Sequence, residues 1–84
     1  MEAIDVREHI DRIASAVKDR FDNKVSKPYA QGTILLIAFE EVKLYGHNWE
    51  RLLLKLEKEI VISGTPFAKV YLFNGATNEL RKAA

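Results

Sequence analysis

Thr33-Ile34-Leu35-Leu36-Ile37-Ala38-Phe39 is the stretch on which the fold turns. Six apolar residues in a row after a threonine suit a short strand buried in a core. The run nevertheless passes without a break into Glu40-Glu41-Val42-Lys43-Leu44, which favours helix, and Gly46 then supplies a stop. Leu35, Ala38, Phe39 and Val42 also share one helical face. The expectation is therefore a central helix over 33–45, apolar all round in its first half because neighbours cover it on several sides.

The flanking segments point the same way. Val6, Ile10, Ile13, Val17 and Phe21 recur at intervals of four, three, four and four, which places them along one face of a helix from about 5 to 22. Asp5 with Glu8 three residues later resembles a capping-box start, and Lys18–Asp22 is an opposite-charge pair one turn apart on the outside. Pro28 breaks helix at the residue before it, so 23–32 is a connector. Downstream, Asn48 is the expected N-cap of a third helix whose stripe is Trp49, Leu52, Leu53, Leu56 and Ile60, closed by Gly64 and Pro66.

The last segment is the second ambiguous one. Thr65-Pro66 suits an N-cap followed by the first helical residue. Residues 67–73 equally suit a strand, and Asn74-Gly75 is a favoured hairpin turn. Ala76 to Leu80 makes a poor return strand, and a two-stranded parallel sheet of 33–39 with 67–73 would be an uncommon solution. The sequence accordingly predicts an all-α protein, a compact bundle of three to four helices forming one small domain over 1–84. The alternative is an α+β fold with short strands at about 33–39 and 67–73.

Composition narrows function mainly by exclusion. Of 84 residues, 48% are hydrophobic and 30% charged, a globular recipe. There is no cysteine, which removes disulfides and thiolate metal sites. The longest apolar run is far short of the roughly 18 residues of a membrane span, and Glu2 and Asp5 stand where a secretory leader would be basic. A soluble cytoplasmic protein with no membrane partner is expected. Thirteen basic against twelve acidic side chains leave a formal charge of +1, too little for a strong polyanion field.

No catalytic, cofactor or metal constellation stands out. Ser15, Ser26 and Ser63 lack the context of an activated nucleophile. Asp5 and His9 have a chelating spacing but no third ligand, and Glu40 and Glu41 diverge on a helix. Isolated glycines do not make a phosphate loop. Arg51, Lys55 and Lys58 form a basic stripe on the 49–62 helix, and with 33–45 helical the Tyr45-Gly46-His47-Asn48 link would complete a helix-turn-helix-like nucleic-acid binder. Trp49 and Glu50 at the start of the recognition helix, and the neutral balance, disfavour it.

What composition leaves unexplained is surplus apolar side chain. Leu54, Val61 and Ile62 lie beside the core stripe of the third helix, and Tyr71 and Phe73 crowd the last segment. These five are the expected protein interface of a non-catalytic interaction module, a small regulatory, adaptor or inhibitor protein that binds itself or another protein, with no cofactor.

Overall fold

The computed structural model describes residues 6–84 and is α+β. In chain order come α1 (Val6–Val25), β1 (Thr33–Phe39), α2 (His47–Glu57), β2 (Phe67–Asn74) and β3 (Glu79–Lys82). The sheet runs β1-β2-β3, with β1 parallel to β2 and β3 antiparallel to β2. The all-α bundle is thus overturned: both ambiguous segments are strands, at the positions of the α+β alternative.

The reason lies in how the two strands bury themselves. Leu35 and Ile37 on β1 pair with Val70 and Leu72 on β2, and all four are buried. Their neighbours Ile34 and Leu36 are exposed. The period is therefore two, as a pleated strand demands, although apolar residues on both sides hid it in the sequence. The objection to a lone two-stranded sheet also falls, because Glu79–Lys82 adds a third strand to the far side of β2.

Both helices cover the same face of this sheet. Ile10, Ile13, Ala14, Val17 and Phe21 of α1 and Trp49, Leu52 and Leu56 of α2 form one core with Leu35, Ile37, Val70 and Leu72. Of the stripe expected on α1, Ile10, Ile13, Val17 and Phe21 are buried, while the Val6 side chain lies outside the described ones. Of that on α2, Trp49, Leu52 and Leu56 are buried, with Leu53 only partly so and Ile60 joining the core just past the helix. The expected Lys18–Asp22 pair closes at 2.6 Å. The Asp5 cap lies outside the described residues.

Local signals shift in meaning once the strands are in place. Gly46, at φ +58° and ψ −131°, is the N-cap of α2 and makes no side-chain cap bond. Asn48, expected to be that cap, is the second residue of the helix, where its Nδ2 donates to Lys43 O at 3.2 Å. Thr65-Pro66 opens a strand and not a helix: Thr65 Oγ1 accepts from Phe67 N at 3.2 Å, while Pro66 O accepts from Gly32 N and Thr33 N. Asn74-Gly75 does not form a two-residue hairpin turn. The link spans 75–78, and Asn78, at φ +57°, takes the left-handed position.

Asn74 is the one buried polar side chain among the described residues and fixes the connection between β1 and α2. Its Oδ1 accepts from Glu41 N at 2.9 Å and Ala76 N at 3.1 Å, and its Nδ2 donates to Glu41 O at 2.7 Å and Leu44 O at 3.3 Å. One amide thereby stands in for a strand pairing where the sheet ends. Asn74→Ala strands several of these groups, each costing about 1–3 kcal/mol if left unpaired. We expect a loss of about 2–4 kcal/mol in urea unfolding. Asn74→Asp should lose stability too, since it sets a carboxylate oxygen against two carbonyls; a wild-type midpoint for either would refute the role.

Candidate functional site

With both helices on one side, the other face of the sheet is left uncovered by the described residues. Its side chains form a grid read from the register: Ile34 beside Lys69; Leu36 beside Tyr71, and Tyr71 in turn beside Lys82; Ala38 beside Phe73, and Phe73 in turn beside Leu80. Ile34, Leu36 and Leu80 are 59%, 56% and 54% exposed, and Tyr71 and Phe73 are partly buried by these neighbours. This contiguous apolar surface has lysines only at Lys69 and Lys82.

The five expected interface residues do not meet. Tyr71 and Phe73 sit at the middle of the uncovered face. Leu54, at 68% exposure, lies on α2, a helix packed on the opposite face. Val61 is exposed beyond the end of α2, whereas Ile62 packs against the core. Ile34, Leu36 and Leu80, outside the expected five, also lie on the uncovered face. The signal that finds the first two is strand alternation: once Leu35 and Ile37 point inward, Ile34 and Leu36 must point out.

The basic stripe is also rearranged. Because 33–39 is a strand, no helix-turn-helix forms around Tyr45-Gly46-His47-Asn48. Arg51 is exposed, Lys58 lies at the C-cap of α2, and Lys55 is joined to Asp11 of α1 at 3.0 Å. Hydrogen bonding to Asp11, reinforced by its charge, holds the Lys55 ammonium above its ordinary pKa. Lys55 thus serves to tie the two helices together.

Polar groups gather at the end of β1, where open α/β sheets usually place ligands. Arg12 and Arg20 of α1 face Glu40 and Glu41 across a hollow of about 290 Å³. His9 Nε2, with no hydrogen-bond partner, lies 3.7 Å from a Glu41 oxygen. The described residues contain no group of three or more side chains suited to a metal ion, and the Asp5–His9 pair falls partly outside them. No described helix is long and apolar enough to cross a membrane.

A second polar cluster lies under β3. Arg81 bonds Glu79 at 2.9 Å and stacks 5.3 Å above the centre of the Trp49 ring. The Thr77 hydroxyl and the Trp49 indole N–H are buried beside the Glu79 carboxylate without closing hydrogen bonds of normal geometry. Thr77 foremost, then Trp49 and Arg81, lower the Glu79 pKa against the opposing effect of burial. The cluster pins the outer strand to the first turn of α2.

Comparison with protein-family models, curated proteins and solved structures returns no match.

The Glu79 cluster sets a pH dependence. A carboxyl whose pKa is lowered on folding stabilises the folded state above the unfolded pKa, and that contribution fades as pH falls through the folded value. Glu79→Gln removes it, so stability measured by denaturant between pH 7 and pH 2 should fall less steeply in acid than for wild type. Parallel acid limbs would show that the Glu79 charge is not favoured by folding.

Proposed function

We propose that this protein is a non-catalytic protein-interaction module whose contact surface is the uncovered sheet face around Tyr71 and Phe73. The single observation that carries this reading is the continuity of that face. Five large apolar side chains, Ile34, Leu36, Tyr71, Phe73 and Leu80, are brought side by side by the strand register. Contiguous exposed apolar surface on a small domain marks an interaction site. Sheet faces normally meet such a need by packing on a second sheet or helix layer.

The chemistry of the face supports recognition and not catalysis. It presents aliphatic and aromatic groups with lysines toward its margins, the layout of an apolar centre with a polar rim. A regulatory, adaptor or inhibitor role matches a small domain that works by docking. Its compartment is taken as the cytoplasm, with which a chain free of cysteine is compatible.

A second copy of the chain is the first occupant to test. Light scattering over a range of concentrations should give a mass that rises to a dimer or beyond. Leu80→Glu and Ile34→Glu, both at exposed positions, should weaken that association by about tenfold or more, since each buries a charge in an apolar contact. The far-ultraviolet circular dichroism should not change. A monomeric wild type whose variants unfold would overturn the proposal and assign the face to the stability of the fold.

A further inference from the structure

The two outer strands of the sheet are built differently. β3 is four residues long and carries charge on Glu79, Arg81 and Lys82, the usual means of blunting an exposed edge. β1 is seven residues long and contains neither charge nor proline. Its ladder has one irregularity, between Thr33 and Ile34, and there the extra residue is Ala68 of β2. The free side of β1 is therefore regular and uncharged.

Three hydrogen bonds show which backbone groups face outward. Thr33 N donates to Pro66 O at 3.1 Å, and Gly75 N donates to Phe39 O at 2.8 Å, so odd-numbered residues of β1 turn their peptide groups toward β2. In a parallel strand the even-numbered residues turn theirs the other way. The N–H and C=O of Ile34 and Leu36, and the N–H of Ala38, thus point to the free side. On that side Ala38 O accepts a hydrogen bond from the Arg20 guanidinium.

α1 runs alongside this edge and forms the second wall of a groove. Arg12, Ala16, Arg20 and Lys24 follow one another at intervals of four along one side of the helix. A hollow of about 230 Å³ lies between that side and β1, and a second of about 290 Å³, walled by Phe39 and by the carboxylates Glu40 and Glu41 just past the strand, continues from Arg20. Ala16 leaves room between the two arginines. Arg12 and Lys24 form no ion pair among the described residues. Along 35–38 the wall contributed by α1 is Arg20, Asn23 and Lys24, two cations and an amide with no carboxylate.

We propose that this groove takes an extended polypeptide segment bearing carboxylate side chains, which adds to the sheet as a fourth strand beside β1. Main-chain hydrogen bonds to Ile34, Leu36 and Ala38 supply register and affinity, as in other cases of strand addition. Alternate side chains of the incoming strand point toward α1, where carboxylates meet Arg20 and Lys24. The remaining side chains extend the apolar row of Ile34 and Leu36. A second copy of β1 is a worse occupant. Pairing two edges about a two-fold axis brings Arg20 and Lys24 toward the same cations of the other copy, and β1 offers no carboxylate to meet them.

The test is fluorescence polarisation with a labelled seven-residue peptide alternating glutamate and valine, matched to the length of β1. Two control peptides accompany it, one with lysine for glutamate and one N-methylated at the residues whose amides would face β1. Saturable binding of the first peptide is expected. Both controls should bind about tenfold more weakly or worse, since each loses charge-assisted or main-chain hydrogen bonds. Arg20→Glu should have the same effect. So should Leu36→Pro, which removes an N–H that the folded protein leaves unused. Should Leu36→Pro fail to fold, Arg20→Glu and the methylated peptide still decide the matter. Leu80→Glu, on the uncovered face, should leave peptide binding unchanged, which separates this proposal from the preceding one. Absence of binding, equal binding of the glutamate and lysine peptides, or indifference to N-methylation would overturn it. A wild-type dimer abolished by Leu36→Pro would overturn it too, by assigning the edge to a second copy.

Discussion

The parallel ladder between β1 and β2 is the constraint from which the rest of this small fold follows. Two parallel strands cannot be joined by a tight turn and need a crossover. Here α2 is that crossover, and Trp49, Leu52 and Leu56 close it over Leu35, Ile37, Val70 and Leu72. α1 completes the same layer with Ile10, Ile13, Val17 and Phe21. β1 has no other strand to bond among the described residues, and neither helix would have a surface on which to bury its stripe without the ladder. β3 depends on the ladder as well, because it pairs only with the outer side of β2.

Parallel strands are ordinarily covered on both faces, and their sequences read as continuous apolar runs for that reason. This chain has the run but only one covering layer. Half of the apolar side chains in 33–39 therefore enter the core, and the other half remain on a bare face beside Tyr71, Phe73 and Leu80. The unprotected edge of β1 belongs to the same pattern. The described sheet thus leaves one apolar face and one long uncharged edge without a covering layer.

The polar side chains serve mainly to hold the boundaries of that sheet. Asn74 replaces a strand pairing with side-chain hydrogen bonds and keeps the link from β1 to α2 folded against the end of β2. Gly75 follows it and donates its N–H to Phe39 O at 2.8 Å. Thr77, Glu79 and Arg81 draw the short outer strand onto Trp49. Lys55 and Asp11 join the two helices at their exposed side. Arg12 and Lys24, beside β1, are among the cations that form no ion pair among the described residues.

The helices were legible in the sequence because each exposes one side to water, so burial imposes a period near 3.6 on Ile10, Ile13, Val17 and Phe21 and on Trp49, Leu52 and Leu56. The same cause failed for β1: with apolar residues on both faces, alternation disappears, and 33–39 fits a helix stripe as well as a strand. β3 was illegible for another reason. Glu79-Leu80-Arg81-Lys82 has little strand preference of its own and becomes a strand because the edge of β2 offers it hydrogen bonds. The surplus of apolar residues was likewise evident from composition, but its distribution was not. Tyr71 and Phe73 share a face with Ile34, Leu36 and Leu80, while Leu54 lies on the opposite side and Ile62 is drawn into the core. Local sequence determined where chain segments could bury an apolar stripe. Only the tertiary structure decided which strands pair, because pairing depends on partners distant in the chain, and pairing in turn decides which apolar side chains share a surface.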